Sequence, residues 1–538
     1  MARVFIFILS LSVAFPGFAL NRFEALRWVD NQIPESVVLR HKELVAQLYA
    51  TSGNQLIWYN DETIHGFEQL LEVLAIADLS DLFYKRLVRL KEARAAHRAM
   101  EYDIIATDTL LSYVSYTELS PDNGKAWYFG GRVPTFLPEP SDESRLLLIR
   151  AIKEARLTHY IRQYLAVSKE QQVLNAMLEK LLSSQFEYKR YVQDDALKRL
   201  GDRLNDKTAL VERLAIVGVD TSKINPETET FDTETEHAVI QFQKLHGLKP
   251  DGIIGRKTMK WLNISIEERA RILALNSERL RLWNLEQEDT MIVNVPDFRL
   301  RYWNNGETSF DTKVIVGRRS RKTPLINTNM NAVILNPTWN VPRKIMVKDI
   351  IPAIKRDETY IEKHQYEILA DWVSEQTVDP DELNWQAIVP ERFPYRFRQH
   401  SGPGNALGLY KFNTPNRNAI YLHDTPSKYL FDRETRAFSS GCIRVQNADK
   451  LATLLFDSRT SERMRKKVAE KDKVEKSNYV ISLNKTIPVH IIYQTAWMES
   501  GLVQYRNDIY HYDRLNKSET FDQKIAKLSI LDKLLSKQ

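Results

Sequence analysis

The chain has 538 residues, 43% of them hydrophobic, enough for several domains with separate cores. Its 76 Lys and Arg against 70 Asp and Glu leave a net charge of +6, dispersed and without a basic run interleaved with aromatics, so nothing points to a nucleic-acid partner. The single cysteine excludes an internal disulfide and any Cys-x-x-Cys metal or redox pair.

The N-terminus reads as an export signal over residues 1–19. Arg3 precedes an apolar stretch, residues 4–15, and Gly17 and Ala19 place small residues before a cleavage point after Ala19. The stretch is shorter than the ~20 residues that span a bilayer. No later segment reaches that length, so the expectation is a periplasmic chain with no stable membrane span after cleavage. Export makes the cysteine more telling, because exported chains that keep cysteines usually pair them.

Residues 20–202 read as a helical scaffold, with apolar residues at helical spacing in 43–49, 67–77 and 101–113. Residues 203–263 form a small three-helix module. Thr233-x-x-Glu236 predicts a capping box, and Ala238, Phe242 and Leu245 share one helix face before the stop at Gly247. The string Phe242-x-x-x-His246-Gly247-Leu248-x-x-Asp251-Gly252-x-x-Gly255 resembles the peptidoglycan-binding domain of wall enzymes. His237 and His246 read as surface or satisfied histidines rather than metal ligands.

Ser265-x-x-Glu268 caps a connecting helix in 264–285 that is expected to rejoin the scaffold. Residues 286–515 then change to short β runs at 291–295, 299–303, 312–316, 332–335, 419–423, 479–483 and 489–493. An insertion, 343–400, interrupts them; it is polar, largely helical in character, and placed to act as a cap over a site. The tail, 516–538, reads as one amphipathic helix with Ile525, Leu528, Leu531 and Leu535 inward. The expected fold is multidomain α+β: a helical scaffold, a small three-helix peptidoglycan-binding module, and a mostly β catalytic domain with a helical capping insertion.

The chemistry converges on Ser439-Ser440-Gly441-Cys442-Ile443-Arg444-Val445, which holds the cysteine, and on Tyr421-Leu422-His423-Asp424 upstream. A thiol attacks only as thiolate, and its ordinary pKa of ~8.5 requires a base or a cation beside it. Strand alternation puts Tyr421 and His423 on one face, with Ile420 and Leu422 toward the core. It likewise pairs Cys442 with Arg444, above buried Ile443 and Val445. The alternation turns Asp424 away from His423, which argues against a carboxylate triad. Gly441 permits a tight turn that would aim N–H groups at an oxyanion. Arg444 is suited either to a substrate carboxylate or to bracing the loop. Tyr421 is suited either to an oxyanion or to packing.

A strand-end histidine followed by Ser-x-Gly-Cys-Ile-Arg resembles the L,D-transpeptidase (YkuD-type) catalytic domain. The strings Ile334-Leu335-Asn336-Pro337-Thr338-Trp339-Asn340-Val341-Pro342 and Gly402-Pro403-Gly404-Asn405-Ala406-Leu407-Gly408 narrow the likeness to the large YcbB-type subgroup. The resemblance implies that Cys442 takes an acyl group from a donor tetrapeptide stem, with His423 as proton carrier and D-Ala as leaving group. An acceptor stem amine then forms a 3→3 cross-link. It implies no metal or organic cofactor, acylation by carbapenems, and substrate contacts from Trp339, Asn340 and Ser440. The alternatives are an L,D-carboxypeptidase trimming D-Ala and a non-catalytic wall-binding scaffold. Ser482-x-x-Lys485 matches a serine-enzyme spacing, but it sits between β runs rather than at a helix start.

Overall fold

The computed structural model describes residues 16–165, 168–183, 189–194, 197–283, 288–469, 476–513 and 519–536. The apolar stretch 4–15 of the expected signal lies outside them, and a helix, Pro16–Gln32, runs through the expected cleavage position. Among the described residues no helix is long and apolar enough to cross a membrane.

The scaffold is built around one long helix, Ala99–Tyr128, in which every residue from 101 to 116 is buried. Three carboxylates lie in that buried run: Glu101 pairs with Arg89 and Arg98, and Asp103 and Asp108 are held by hydrogen bonds, as a charge withdrawn from water must be. Asp103 accepts from the N–H groups of Ile57 (3.0 Å) and Trp58 (2.8 Å), and from the Tyr49 hydroxyl. Asp108 accepts from His41 N–H at 2.7 Å and pairs with Arg86 at 2.7 Å. The tail helix, Glu519–Leu535, buries Leu528 and Leu531 in the scaffold core, with Ile525 packed against it and Leu535 half-buried.

In the small module, the helix Thr233–Leu245 buries Ala238, Phe242 and Leu245. Its cap differs from the expectation. Asp232, one residue earlier, accepts from Thr235 N–H at 2.9 Å, and its carboxylate also meets the positive end of the helix. The box at Ser265 and Glu268 forms as read. His246 is fully buried, its Nδ1 2.7 Å from the Phe242 carbonyl and its Nε2 3.2 Å from Arg269. It stacks on Tyr505 of a hairpin, Ala496–Glu499 with Leu502–Tyr505, which fastens the module to the β domain. The connecting helix, Ile266–Arg279, returns to the scaffold. At its end, Arg279 is fully buried, pairs with Asp513 at 2.8 Å and lies over the Phe129 ring.

The β domain is a nine-stranded sheet among the described residues. Its order is Ala437–Ser439, Glu307–Gly317, Ile443–Val445, Leu422–His423, Tyr410–Asn413, Ile326–Leu335, Tyr479–Ile492, Asp289–Asn294, Arg299–Asn304. Arg299–Asn304 pairs back onto Glu307–Gly317, so the sheet closes on itself and has an inside and an outside. Leu422, Ile443, Phe412, Val333 and Ile481 fill the inside at 0% exposure, each worth about 1.5–3 kcal/mol of burial. Ser482 and Lys485 lie within the strand Tyr479–Ile492, away from any helix start.

The insertion is α-helical only in its first part, and three 3-10 turns, Pro380–Glu382, Trp385–Ala387 and Pro390–Arg392, lie in its second. Short helical turns run from Arg343–Ile345 to Tyr360–Lys363. A four-stranded sheet follows, in the order Trp339–Asn340, Arg396–Gln399, Tyr366–Leu369, Thr377–Val378. The period-2 pattern explains it: in Arg396-Phe397-Arg398-Gln399 the second and fourth residues are buried. Val341, Met346, Ile354, Trp385, Phe393 and Phe397 give this cap a core of its own.

Candidate active site

The short strand Leu422–His423 lies between two neighbours, parallel to Ile443–Val445 and antiparallel to Tyr410–Asn413. Leu422 stands opposite Ile443 and Phe412, all inside the barrel. His423 stands opposite Arg444 on one side and Lys411 on the other. Residues paired in register share a face, so Lys411, His423 and Arg444 form one row across the outer surface. Tyr421 and Cys442 occupy the adjacent positions of that face. The Tyr421 and His423 rings are 5.8 Å apart, edge to face.

The loop carrying Cys442 is held from several directions. Ser439 donates to the Cys442 carbonyl at 2.6 Å and accepts from Gly441 N–H at 3.1 Å. Thr323 donates to the Gly441 carbonyl at 2.8 Å and accepts from Gly317 N–H at 2.8 Å. The Tyr510 hydroxyl, which accepts from Thr323 N–H at 3.0 Å, donates to the Gly317 carbonyl at 2.7 Å. Gly441 has φ +129°, a conformation that side chains resist, although space remains around its α-carbon. Ser440 is exposed and accepts from Arg321 at 2.8 Å; Arg321 in turn pairs with Asp349 of the cap.

The Cys442 sulfur accepts from both the N–H and the hydroxyl of Tyr421 and lies 3.9 Å from the Ala419 carbonyl. Ala419 has φ 51°, a left-handed backbone that is costly for a residue with a β-carbon. The Trp339 side chain hydrogen-bonds to the Tyr421 hydroxyl. His423 is buried, and its Nδ1 is 2.5 Å from the backbone carbonyl of Asp424, which leaves Nε2 for the reacting groups. The Asp424 carboxylate points elsewhere, accepting from Leu409 N–H at 3.1 Å and pairing with Lys428. Gly408 makes room for it: a β-carbon there would sit 2.3 Å from an Asp424 oxygen.

Electrostatically the site is cationic. Burial, then Arg444, and lastly Lys411 push His423 down to about 3, against the smaller opposing effect of the Asp424 carbonyl. Burial pushes the Cys442 thiol up, partly offset by the two Tyr421 hydrogen bonds, Lys411 and Arg444. Burial also raises Tyr421 and lowers Arg444 and Lys411. The resting pair at neutral pH is therefore thiol and neutral imidazole.

Of the residues read from the sequence, Cys442, Tyr421, His423 and Arg444 share one face, and Trp339 reaches it through the Tyr421 hydroxyl. Gly441 shapes the loop, and Ser440 joins it to the cap through Arg321. Asn340 pairs with Arg398 inside the cap sheet, with its side chain exposed. Lys411, Ser439, Thr323, Arg321 and Tyr510 carried no assigned role. The alternation in Tyr410-Lys411-Phe412-Asn413 could have placed Lys411 on a strand, but nothing local names its neighbour.

Comparison with known proteins assigns families to parts of the chain. The YkuD family, the L,D-transpeptidase catalytic domain, matches residues 288–474. A "Putative peptidoglycan binding domain" matches residues 204–262, and a scaffold domain matches residues 43–186. A Haemophilus influenzae protein named "Putative L,D-transpeptidase" is 41% identical over 242 residues, 45% of this chain and 48% of that protein. The chain thus spans about half the length of the curated relative it matches. Two solved structures are similar at 14% identity. The L,D-transpeptidase of Xylanimonas cellulosilytica has a TM-score of 0.18, covering 50% of this chain and 94% of that one. The L,D-transpeptidase of Stackebrandtia nassauensis has a TM-score of 0.21, covering 58% and 98%.

Proposed function

We propose that this chain, which carries an L,D-transpeptidase catalytic domain beside a peptidoglycan-binding domain, is a periplasmic cell-wall enzyme that forms 3→3 cross-links through a thioester on Cys442. The observation that carries the reading is the shared outer face of Cys442, Tyr421, His423 and Arg444, with His423 oriented by a backbone carbonyl.

The sulfur attacks the carbonyl between the third and fourth residues of a donor tetrapeptide stem. As the S–C bond forms, the thiol proton passes to Nε2 of His423. The transfer accompanies attack, because the buried imidazole between two cations does not hold a proton at rest. The C–N bond then breaks and the proton goes to the departing D-Ala amine. An acceptor side-chain amine attacks the thioester, forms the new amide and returns the thiol. Gly441 N–H is committed to Ser439, so the oxyanion falls to the Cys442 N–H, joined by the Tyr421 hydroxyl, which turns from the sulfur once the S–C bond has taken up the sulfur's charge. Arg444 is placed for a stem carboxylate; its Nε has no partner among the described residues. Trp339 and Asn340 line the approach beneath the cap, and Ser440 holds the loop through Arg321.

The test is incubation of the purified chain with disaccharide-tetrapeptides and mass analysis of the products. Cross-linked dimers that vanish in Cys442→Ala support the reading. Release of D-Ala without dimers makes the enzyme a carboxypeptidase, and no turnover leaves only wall binding.

A further inference from the structure

Lys411 is half-buried on the strand Tyr410–Asn413, directly opposite His423, and its ammonium has no ion pair or hydrogen bond among the described residues. A lysine withdrawn from water without a carboxylate costs stability, so its position calls for an explanation. Its ammonium lies over the Tyr421 ring, 4.4 Å from the centroid. That ring carries the hydroxyl that donates to the Cys442 sulfur, and its backbone N–H donates to the same atom. A cation on a phenol face draws electron density from the ring, which strengthens the hydroxyl as a donor.

We propose that Lys411 is a positioning residue of the acyl-transfer site: it holds the Tyr421 hydroxyl on the Cys442 sulfur and keeps positive charge beside that sulfur. The proposal rests on reading Cys442 as the nucleophile.

Among the described residues no other cation lies over the Tyr421 ring, although Arg444 also faces the sulfur. From its own strand, Cys442 is flanked by Arg444, beyond which lies Tyr429. The neighbouring strand presents Tyr421 and His423. Arg321 is held by Asp349 and Ser440. Lys322 is turned away, its ammonium on the Tyr512 ring at 4.0 Å and on the Tyr510 carbonyl at 2.9 Å. Asp424 pairs with Lys428. Negative charge arising on the sulfur therefore meets Arg444 and Lys411, with Lys411 acting both directly and through the tyrosine. His423, hemmed by the same two cations, stays free to accept the thiol proton.

The experiment is the pH profile of Cys442 alkylation by iodoacetamide in the full chain, a reading that needs no peptidoglycan. Lys411→Met should move the midpoint up by about one pH unit, a tenfold loss of alkylation rate below it, with Lys411→Arg restoring the profile. In a Tyr421→Phe background the same change should move the midpoint by less, because the part carried by the hydroxyl is gone and only the direct field of the ammonium on the sulfur remains. Lys411→Gln serves if the Met variant melts early. An unmoved midpoint in a folded neutral variant, or a full effect in the Phe background, overturns the proposal. If the profiles shift as expected but no variant, nor the wild type, makes dimers, the positioning role stands and the transpeptidase reading falls.

Discussion

Asp349 of the cap and Ser440 beside Cys442 are joined through one guanidinium. Arg321 binds both oxygens of the carboxylate and donates to the Ser440 hydroxyl at 2.8 Å. The cap and the barrel have separate cores, so this contact links two bodies rather than holding up either. Arg321→Met should therefore leave melting nearly unchanged while raising the donor KM about tenfold, with kcat within a few-fold, as expected when binding is lost equally in ground and transition states. Steady-state kinetics with a tetrapeptide donor measures the split. A collapse of kcat with KM unchanged would show that the guanidinium serves the chemistry instead.

Removing the cap is a harsher change than the sequence suggested. Trp339–Asn340 pairs with Arg396–Gln399, so excising residues 343–400 strips a strand from its partner and frees the indole that bonds to Tyr421. Cross-linking should fall by more than in Arg321→Met, while far-UV circular dichroism retains the barrel. A truncated chain that cross-links at the wild-type rate would make the cap dispensable.

His423 gives a stability prediction with a definite sign. Its folded pKa, about 3, lies below the ordinary 6.5, so below pH 6.5 the unfolded chain binds a proton that the folded chain refuses. Stability then falls as pH drops from about 6.5 toward 3. Between pH 7.5 and 4.5 this group alone accounts for on the order of 3 kcal/mol. His246 is buried and depressed in the same direction, so the informative quantity is a difference. Urea midpoints across that range should fall less steeply in His423→Gln than in the wild type, and parallel slopes would refute the low folded pKa. The same substitution should lower acylation by the ~10²–10⁴ of a lost general base.

The backbone carbonyl of Asp424, rather than its carboxylate, orients the imidazole. Asp424→Asn keeps an acceptor for Leu409 N–H and loses only the ion pair with Lys428. Turnover should stay within about threefold of wild type, because the lysine end of the pair is exposed and the carboxylate bonds to Leu409 and Lys428 rather than to the imidazole. A hundredfold loss, measured as kcat/KM, would restore the carboxylate to the mechanism.

What could be read in advance was local. Two-residue alternation placed Tyr421 with His423 and Cys442 with Arg444, because that rule depends only on each strand's own sequence. Ser265 and Glu268 cap their helix for the same reason. Lys411 was missed because its partner is set by sheet order, where strands far apart in sequence become neighbours. Arg321 was missed because it lies in a short polar turn that says nothing about Asp349. The cap's sheet was missed because one of its strands, Trp339–Asn340, comes from before the insertion.

Gly441 separates backbone strain from crowding at the centre of the site. Its φ of +129° belongs to glycine, yet the nearest atom to an added β-carbon is 3.6 Å away, on Ile420. Gly441→Ala therefore meets no wall; its cost is conformational, of order 1–3 kcal/mol. The loop can relieve that cost by rotating, at the expense of the Ser439 and Thr323 hydrogen bonds that bracket Cys442. Global melting should fall modestly, and acylation should fall at least a hundredfold, because a displacement of about 1 Å at a reacting atom has that effect. Measuring the carbapenem acylation rate beside the melting temperature tests both halves. If the variant melts several kilocalories lower but acylates normally, the glycine serves packing, and the turn it makes is not what aims the sulfur.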